Sequence, residues 1–335
     1  MSVDAAFCAA LPKAELHVHH VGSASVEAVS TLAARHEGST PVPADPALLA
    51  DYYRFTDFAH FIEVYLSVVD LLRTPDDLWT LTHQVGTDLA AQQVRYAELT
   101  MTPYTSIVRG IAAEAYVEAI EDARRRVESE TGVVLQWIFD VPGESGVEAA
   151  DVTLDVALRL RPDALVGFGL GGPEIGVPRP QFAPHFAQAR AAGLRSVPHA
   201  GESTGPQTVR DAIEHLGAER VGHGIAAAQD PALMALLAER GIVLEVCPTS
   251  NVRTRSVPSL AEHPLPTLVA AGVPVTINSD DPPMFGTTIS REYEVAADLL
   301  GLDRAGVVDL ARAAVDASFA PDAVKAGLRS ELAAL

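Results

Sequence analysis

The sequence predicts a (β/α)8 barrel. Three observations lead there: eight short apolar runs that read as buried strands, alanine-rich stretches of helical spacing between most of them, and no repeat or linker-like tract anywhere in 335 residues. Continuous apolar strands alternating with amphipathic helices make a parallel sheet covered by helices. Eight such strands in one unbroken chain of this length fit a single barrel with insertions.

In chain order the strands are expected at 15–19, 95–101, 135–141, 165–170, 194–198, 220–223, 242–246 and 273–277, most of them bounded by proline or glycine. Helical spacing falls between them at 113–128, 153–160, 182–192, 207–216 and 231–240. An open doubly wound sheet is the competing architecture, and it usually carries a glycine-rich phosphate turn after its first strand. Here the first strand ends in His-Val-His-His-Val-Gly-Ser instead. The barrel is favoured, as a single domain over residues 1–335.

One interval is too long. About seventy residues separate the first two strands, where one helix would suffice. The surplus, approximately 22–93, includes Tyr52, Tyr53, Arg54, Phe55, Phe58 and Phe61, then an amphipathic run through Ile62, Tyr65, Leu66, Val69 and Leu72. Long insertions at the C-terminal mouth of a barrel commonly serve as lids or pocket walls.

Composition narrows the function. Forty-four acidic residues against twenty-four basic give a formal charge of −20, which repels phosphate backbones and anionic membrane surfaces alike. No nucleic-acid or membrane partner is expected. Cys8 and Cys247 cannot form a disulfide framework. Residues 1–12 show no signal-peptide pattern, and no apolar run approaches a membrane span. A cytoplasmic location is expected.

In a barrel, polar residues at strand C-termini carry the chemistry. Those ends supply His17 and His19, the segment 169–174, His199 with Glu202, His223, the segment 248–251, and Asp280 with Asp281. His17 and His19 are two apart on a strand and so share a face. With His199 and Asp280 they could form a set of three imidazoles and one carboxylate. Such donors suit Zn²⁺, and iron or manganese would accept them too. An open coordination position would lower the pKa of a bound water toward ~7. The chain has only two lysines, Lys13 and Lys325, and neither lies near the end of the fourth strand. A binuclear site bridged by a carbamylated lysine is therefore disfavoured, leaving one metal.

The other histidines read as structural. His20 points away from the His17/His19 face, and His36, His60, His83, His185, His215 and His263 fall on helices or connecting loops as surface or packing residues. Cys247, at the end of an apolar strand, reads as a small buried hydrophobe.

Five ordered motifs then carry a resemblance over nearly the whole chain. They are Leu-Pro-Lys-Ala-Glu-Leu-His-Val-His at 11–19, His-Ala-Gly-Glu at 199–202, Gly-His-Gly at 222–224, Cys-Pro-Thr-Ser-Asn at 247–251 and Asn-Ser-Asp-Asp-Pro at 278–282. The chain resembles the adenosine deaminase family. The resemblance implies a (β/α)8 barrel with one zinc per subunit that hydrolyses the 6-amino group of a purine nucleoside. It also implies roles: His17, His19, His199 and Asp280 would bind zinc, His223 would orient and help deprotonate the water, and Glu202 would donate to purine N1. Asp281 would hydrogen-bond N7, and the backbone N–H of Gly172 would meet N3. Cytidine-type zinc deaminases instead use a P-C-x-x-C signature, which this sequence lacks. A non-catalytic nucleoside-binding relative would be expected to lose a ligand or the acid, yet all seven polar positions are present.

The chain departs from the adenosine-specific pattern at two places. An acid that grips the 5′-hydroxyl usually stands two residues after the second histidine; here that position is Val21. A 5′-hydroxyl buried there without a partner would cost roughly 1–3 kcal/mol, so Val21 favours a substrate with carbon or sulfur at the 5′ position. The segment is similar to that of family members acting on 6-aminodeoxyfutalosine, an intermediate of the futalosine route to menaquinone. That substrate is the first expectation, with adenosine or 5′-methylthioadenosine as alternatives. Its carboxylate would call for an arginine, and Arg54, Arg253 and Arg255 are the candidates. The second departure is glycine at 169 and 171, where many relatives carry aspartate and alanine; this is expected to widen the pocket near purine N3.

Overall fold

The computed structural model describes residues 3–56 and 58–335. Eight strands are present: β1 Lys13–His19, β2 Val94–Met101, β3 Val134–Pro142, β4 Leu165–Gly171, β5 Arg195–Ala200, β6 Arg220–His223, β7 Val243–Val246 and β8 Val275–Ile277. Each differs from its expected range by at most two residues at either end. They pair in chain order, every neighbour parallel, and helices fill the crossovers. The result is a (β/α)8 barrel.

Closure of the barrel also builds the site. β8 is short, and the ring is completed by the residues that follow it. The His19 N–H donates to the Asp280 carbonyl at 2.9 Å, and the Asp280 N–H to that of His17 at 3.0 Å. Asp280 takes a left-handed backbone conformation (φ +67°) as it does so. Two expected ligands on β1 are thereby stitched to a third beyond β8.

The register from β5 to β6 acts similarly, pairing His199 with Gly222 and Ala200 with His223. Gly222 has to be glycine, because a Cβ there would lie 2.8 Å from Cε1 of His17. Lys13 sits at the opposite end of β1, buried, donating to the carbonyls of Leu11 and Gln92 at 2.7 and 2.9 Å. Burial lowers its pKa to about 8. It closes the barrel floor, far along the strand from His17 and His19.

Among the described residues four helices lie between β1 and β2: Val26–Arg35, Pro46–Tyr52, Phe58–Val69 and Pro75–Ala91. The last is the regular crossover, started by a Thr74/Asp77 capping box. Phe58–Val69 packs at the mouth, where Phe61 meets Phe285 with ring centroids 4.9 Å apart.

One helix departs from expectation. The stretch anticipated at 153–160 is a helix Gly146–Asp155 followed by a π turn Val156–Leu160. Its buried face is Ala149, Ala150, Thr153 and Leu154. Small side chains leave little hydrophobic periodicity to read, so only the Leu/Val-rich end was visible in sequence.

Candidate active site

Four side chains converge at the C-terminal mouth. Nε2 of His19 lies 3.2 Å from Nε2 of His199 and 3.2 Å from Oδ1 of Asp280. Nε2 of His17 is 3.5 Å from the same oxygen. One ligand atom from each of His17, His19, His199 and Asp280 falls within 4.8 Å of all the others.

The donor set fits a divalent ion. Nδ1 of His17 is 2.9 Å from Oε2 of Glu245, while its Nε2 is buried with no hydrogen-bond partner. A ring that gives its Nδ1–H to a carboxylate aims its Nε2 lone pair at the centre, the arrangement of a ligating histidine. Burial pulls the His17 pKa down, but the adjacent carboxylates of Asp280 and Glu245 outweigh it and push it up to about 10. A cation at Nε2 satisfies the same demand for positive charge. The other oxygen of Asp280 accepts from Oγ of Ser250 at 2.5 Å. His223, Cys247 and Asp280 form a second close group. There burial holds the Cys247 thiol far above its usual pKa, so it stays protonated and ligates poorly.

Glu245 was not foreseen in the sequence. It belongs to a buried chain in which Nε of Arg220 donates to its Oε1 at 2.6 Å and the same guanidinium pairs with Glu98. A lone carboxylate inside the apolar run of β7 was the available signal, since a buried charge needs a partner.

Beside the ligands stand the expected acid–base groups. Oε2 of Glu202 is 3.7 Å from Nε2 of His223, and its Oε1 accepts from Oγ1 of Thr254 at 2.9 Å. Burial, with Asp280 and Glu174 nearby, raises the Glu202 pKa to about 8. Glu174 fixes the loop that carries Glu202, accepting backbone N–H bonds from Gly201 and Glu202 at 3.0 and 2.8 Å. Burial lowers His223 to about 4. Burial first, and the Asp280 charge second, hold Asp281 well above the ordinary carboxylate range. Asp281 packs against the segment that follows β1, because a Cβ at Gly22 would lie 1.5 Å from its Oδ1.

A cavity joins these groups to the insertion, lined by His19, Glu202, His223, Asp281 and Gly172 together with Val21, Phe61, Tyr65 and Leu66. All of the expected site residues are thus brought together. The arginines are not. Arg54 is exposed and pairs with Asp51 at 3.3 Å, Arg253 stacks over Phe55 at 4.8 Å, and Arg255 binds the Thr56 carbonyl. None of the three lines this cavity. Gly169 and Gly171 do not widen the pocket either. Their space is taken by Asp140, whose Oδ2 lies 2.6 Å from where a Gly171 Cβ would stand.

His20, read as structural, is bonded to Oγ1 of Thr82 at 2.9 Å and also lines the cavity. His36, His83 and His185 pair with Asp77, Glu130 and Asp151. His263, read as a surface or packing residue, is buried and lies 3.2 Å from Oδ1 of Asn251.

Comparison with known proteins matches this arrangement to one family. The adenosine deaminase profile covers residues 12–335. The chain belongs to the adenosine deaminase family. It is 64% identical over 329 residues to an aminodeoxyfutalosine deaminase of Streptomyces coelicolor, covering 98% of this chain and 85% of that relative. An adenine deaminase of Rhodospirillum rubrum is 39% identical over 335 residues, covering the whole of both. An amidohydrolase of Burkholderia ambifaria solved with bound Zn superposes with a TM-score of 0.91 at 28% identity, covering 100% of this chain and 93% of that one. This family of hydrolytic deaminases is metal-dependent, and the barrel here carries a cluster able to hold an ion. Among the described residues no helix is long and apolar enough to cross a membrane.

Proposed function

We propose that this enzyme deaminates 6-aminodeoxyfutalosine to futalosine and ammonia in the cytoplasm, with one Zn²⁺ held by His17, His19, His199 and Asp280. Residues 1–335 act as one domain in this reading, and the helices over 22–93 form the outer wall of its pocket. The observation that carries it is Val21. It is buried and lines the same cavity as Phe61, Tyr65 and Leu66, so position 21 offers a ribose 5′-hydroxyl no acceptor while an apolar 5′ extension gains contact there. The 64% identity to an aminodeoxyfutalosine deaminase supports the same substrate.

The ion would supply Lewis acidity that brings water into play near neutral pH. The chain's own groups do the rest. Glu202, with its pKa near 8, is protonated at neutral pH and passes its proton to purine N1. That draws electrons from C6 and prepares it for attack. Asp281, kept neutral by burial and by Asp280, donates to N7. The Gly172 N–H meets N3, in a left-handed turn (φ +78°) open to glycine. His223 orients the attacking water beside Glu202.

The test is kcat/KM for aminodeoxyfutalosine, adenosine, 5′-methylthioadenosine and adenine on one preparation of zinc-loaded enzyme. Aminodeoxyfutalosine is expected to lead by at least about tenfold, the worth of one lost hydrogen bond. Higher efficiency on any of the other three overturns the substrate assignment.

A further inference from the structure

Behind His223 runs a hydrogen-bonded relay whose every proton can be assigned from one end. It begins at a backbone amide, which can only donate. The Leu265 N–H points to Nδ1 of His263 at 3.1 Å, so that nitrogen is the acceptor. Burial lowers the His263 pKa to about 4, so the ring is neutral and its hydrogen sits on Nε2. That Nε2–H donates to Oδ1 of Asn251 at 3.2 Å. The Asn251 amide is thereby oriented, and its Nδ2 donates to Nδ1 of His223 at 3.1 Å. The Asn251 backbone is pinned as well, its N–H on the Cys247 carbonyl at 3.0 Å and its own carbonyl accepting from Val257 at 2.8 Å.

We propose that His263, acting through Asn251, locks the hydrogen of His223 on Nε2, so that the ring faces the reaction centre as a hydrogen-bond donor and not as a base. His263 and Asn251 are then positioning residues for the reaction proposed above, and the catalytic consequence rests on His223 touching the water as that reading has it. The Nε2–H of His223 points among Glu202 and Asp280, whose nearest oxygens lie 3.7 and 3.8 Å away. A water oxygen between these groups would accept from this fixed donor, which sets its position and orientation beside the purine. With Nδ1 accepting from Asn251, the ring has no lone pair on Nε2, so the water's proton passes to the Asp280 carboxylate beside it.

The experiment has a spectroscopic arm and a kinetic arm, both on zinc-loaded enzyme. Long-range ¹H–¹⁵N spectra, with the His223 signals identified by their loss in His223→Gln, report which ring nitrogen is protonated. The wild type is expected to show Nε2–H, and Asn251→Asp, which can only accept, is expected to move the hydrogen to Nδ1. His263→Phe should lower kcat about tenfold at nearly constant KM and zinc content, and His263→Gln, which keeps an N–H donor, should recover most of it. A wild-type His223 protonated on Nδ1 overturns the proposal, and so does an unchanged kcat in His263→Phe. The spectra need no substrate, so a failed substrate assignment stays distinguishable from a failed relay.

Discussion

Nδ1 of His17 and Oε2 of Glu245 lie 2.9 Å apart, both side chains almost wholly buried, and this contact links the candidate metal centre to a carboxylate–guanidinium chain through the barrel interior. Arg220 lies between Glu245 and Glu98, so the carboxylate that orients the ligand is itself held on its other oxygen. Glu245→Gln keeps the shape but weakens the ring's orientation. Zinc affinity, read by chelator competition, is expected to fall about 10- to 100-fold. An unchanged affinity would show that Glu245 does not position the ligand.

Glu202 sets the alkaline limb of the pH profile. Burial raises its pKa to about 8, and the protonated form is the one that donates to N1. kcat/KM is therefore held below that pH and falls as pH rises through it, by about tenfold per unit once the carboxylate dominates. Glu202→Gln should cost about 10²–10⁴-fold in kcat with zinc retained. A profile flat to pH 10 in the wild type would remove Glu202 as the acid.

The barrel and its ligand cluster were legible because each signal is local. His17 and His19 share a face on one strand, and Asp280 and Asp281 stand at the end of a recognisable apolar run. What escaped were contacts made across the fold. Glu245 looks like a stray charge in β7 until Arg220 and His17 are seen at its two oxygens. His263 sits in a connecting segment, and only the turn after the helix Pro248–Arg253 brings it back onto Asn251. Gly171 looks like an opened pocket, yet Asp140 of β3 occupies the room, held by Oγ1 of Thr102 at 2.6 Å. Spacing along a chain cannot report such neighbours.

Gly22 is under a steric constraint. Its backbone needs no unusual φ, but a methyl there would overlap the Asp281 carboxyl, 1.5 Å from Oδ1. Gly22→Ala must move Asp281 from its place beside the ligands or shift the segment after β1. kcat/KM is expected to fall at least about tenfold, the equivalent of one misplaced hydrogen bond. Thermal unfolding should show overpacking of about 1–3 kcal/mol at most. Wild-type kinetics in Gly22→Ala would mean that Asp281 does not need its present position.

Val21→Asp tests the substrate reading from the protein side. The side chain lies in a cavity that also holds His19 and the aromatic residues of the insertion, so an added carboxylate would offer an acceptor where a 5′-hydroxyl enters. Adenosine is expected to gain about one to two decades in kcat/KM, the worth of one buried hydrogen bond to a charged group. Aminodeoxyfutalosine should lose activity, because a desolvated carboxylate would then face its apolar linkage. The two changes have opposite signs, so general damage to the pocket cannot imitate them. A variant that loses both substrates by the same factor, or leaves their ratio untouched, would remove position 21 as the specificity determinant.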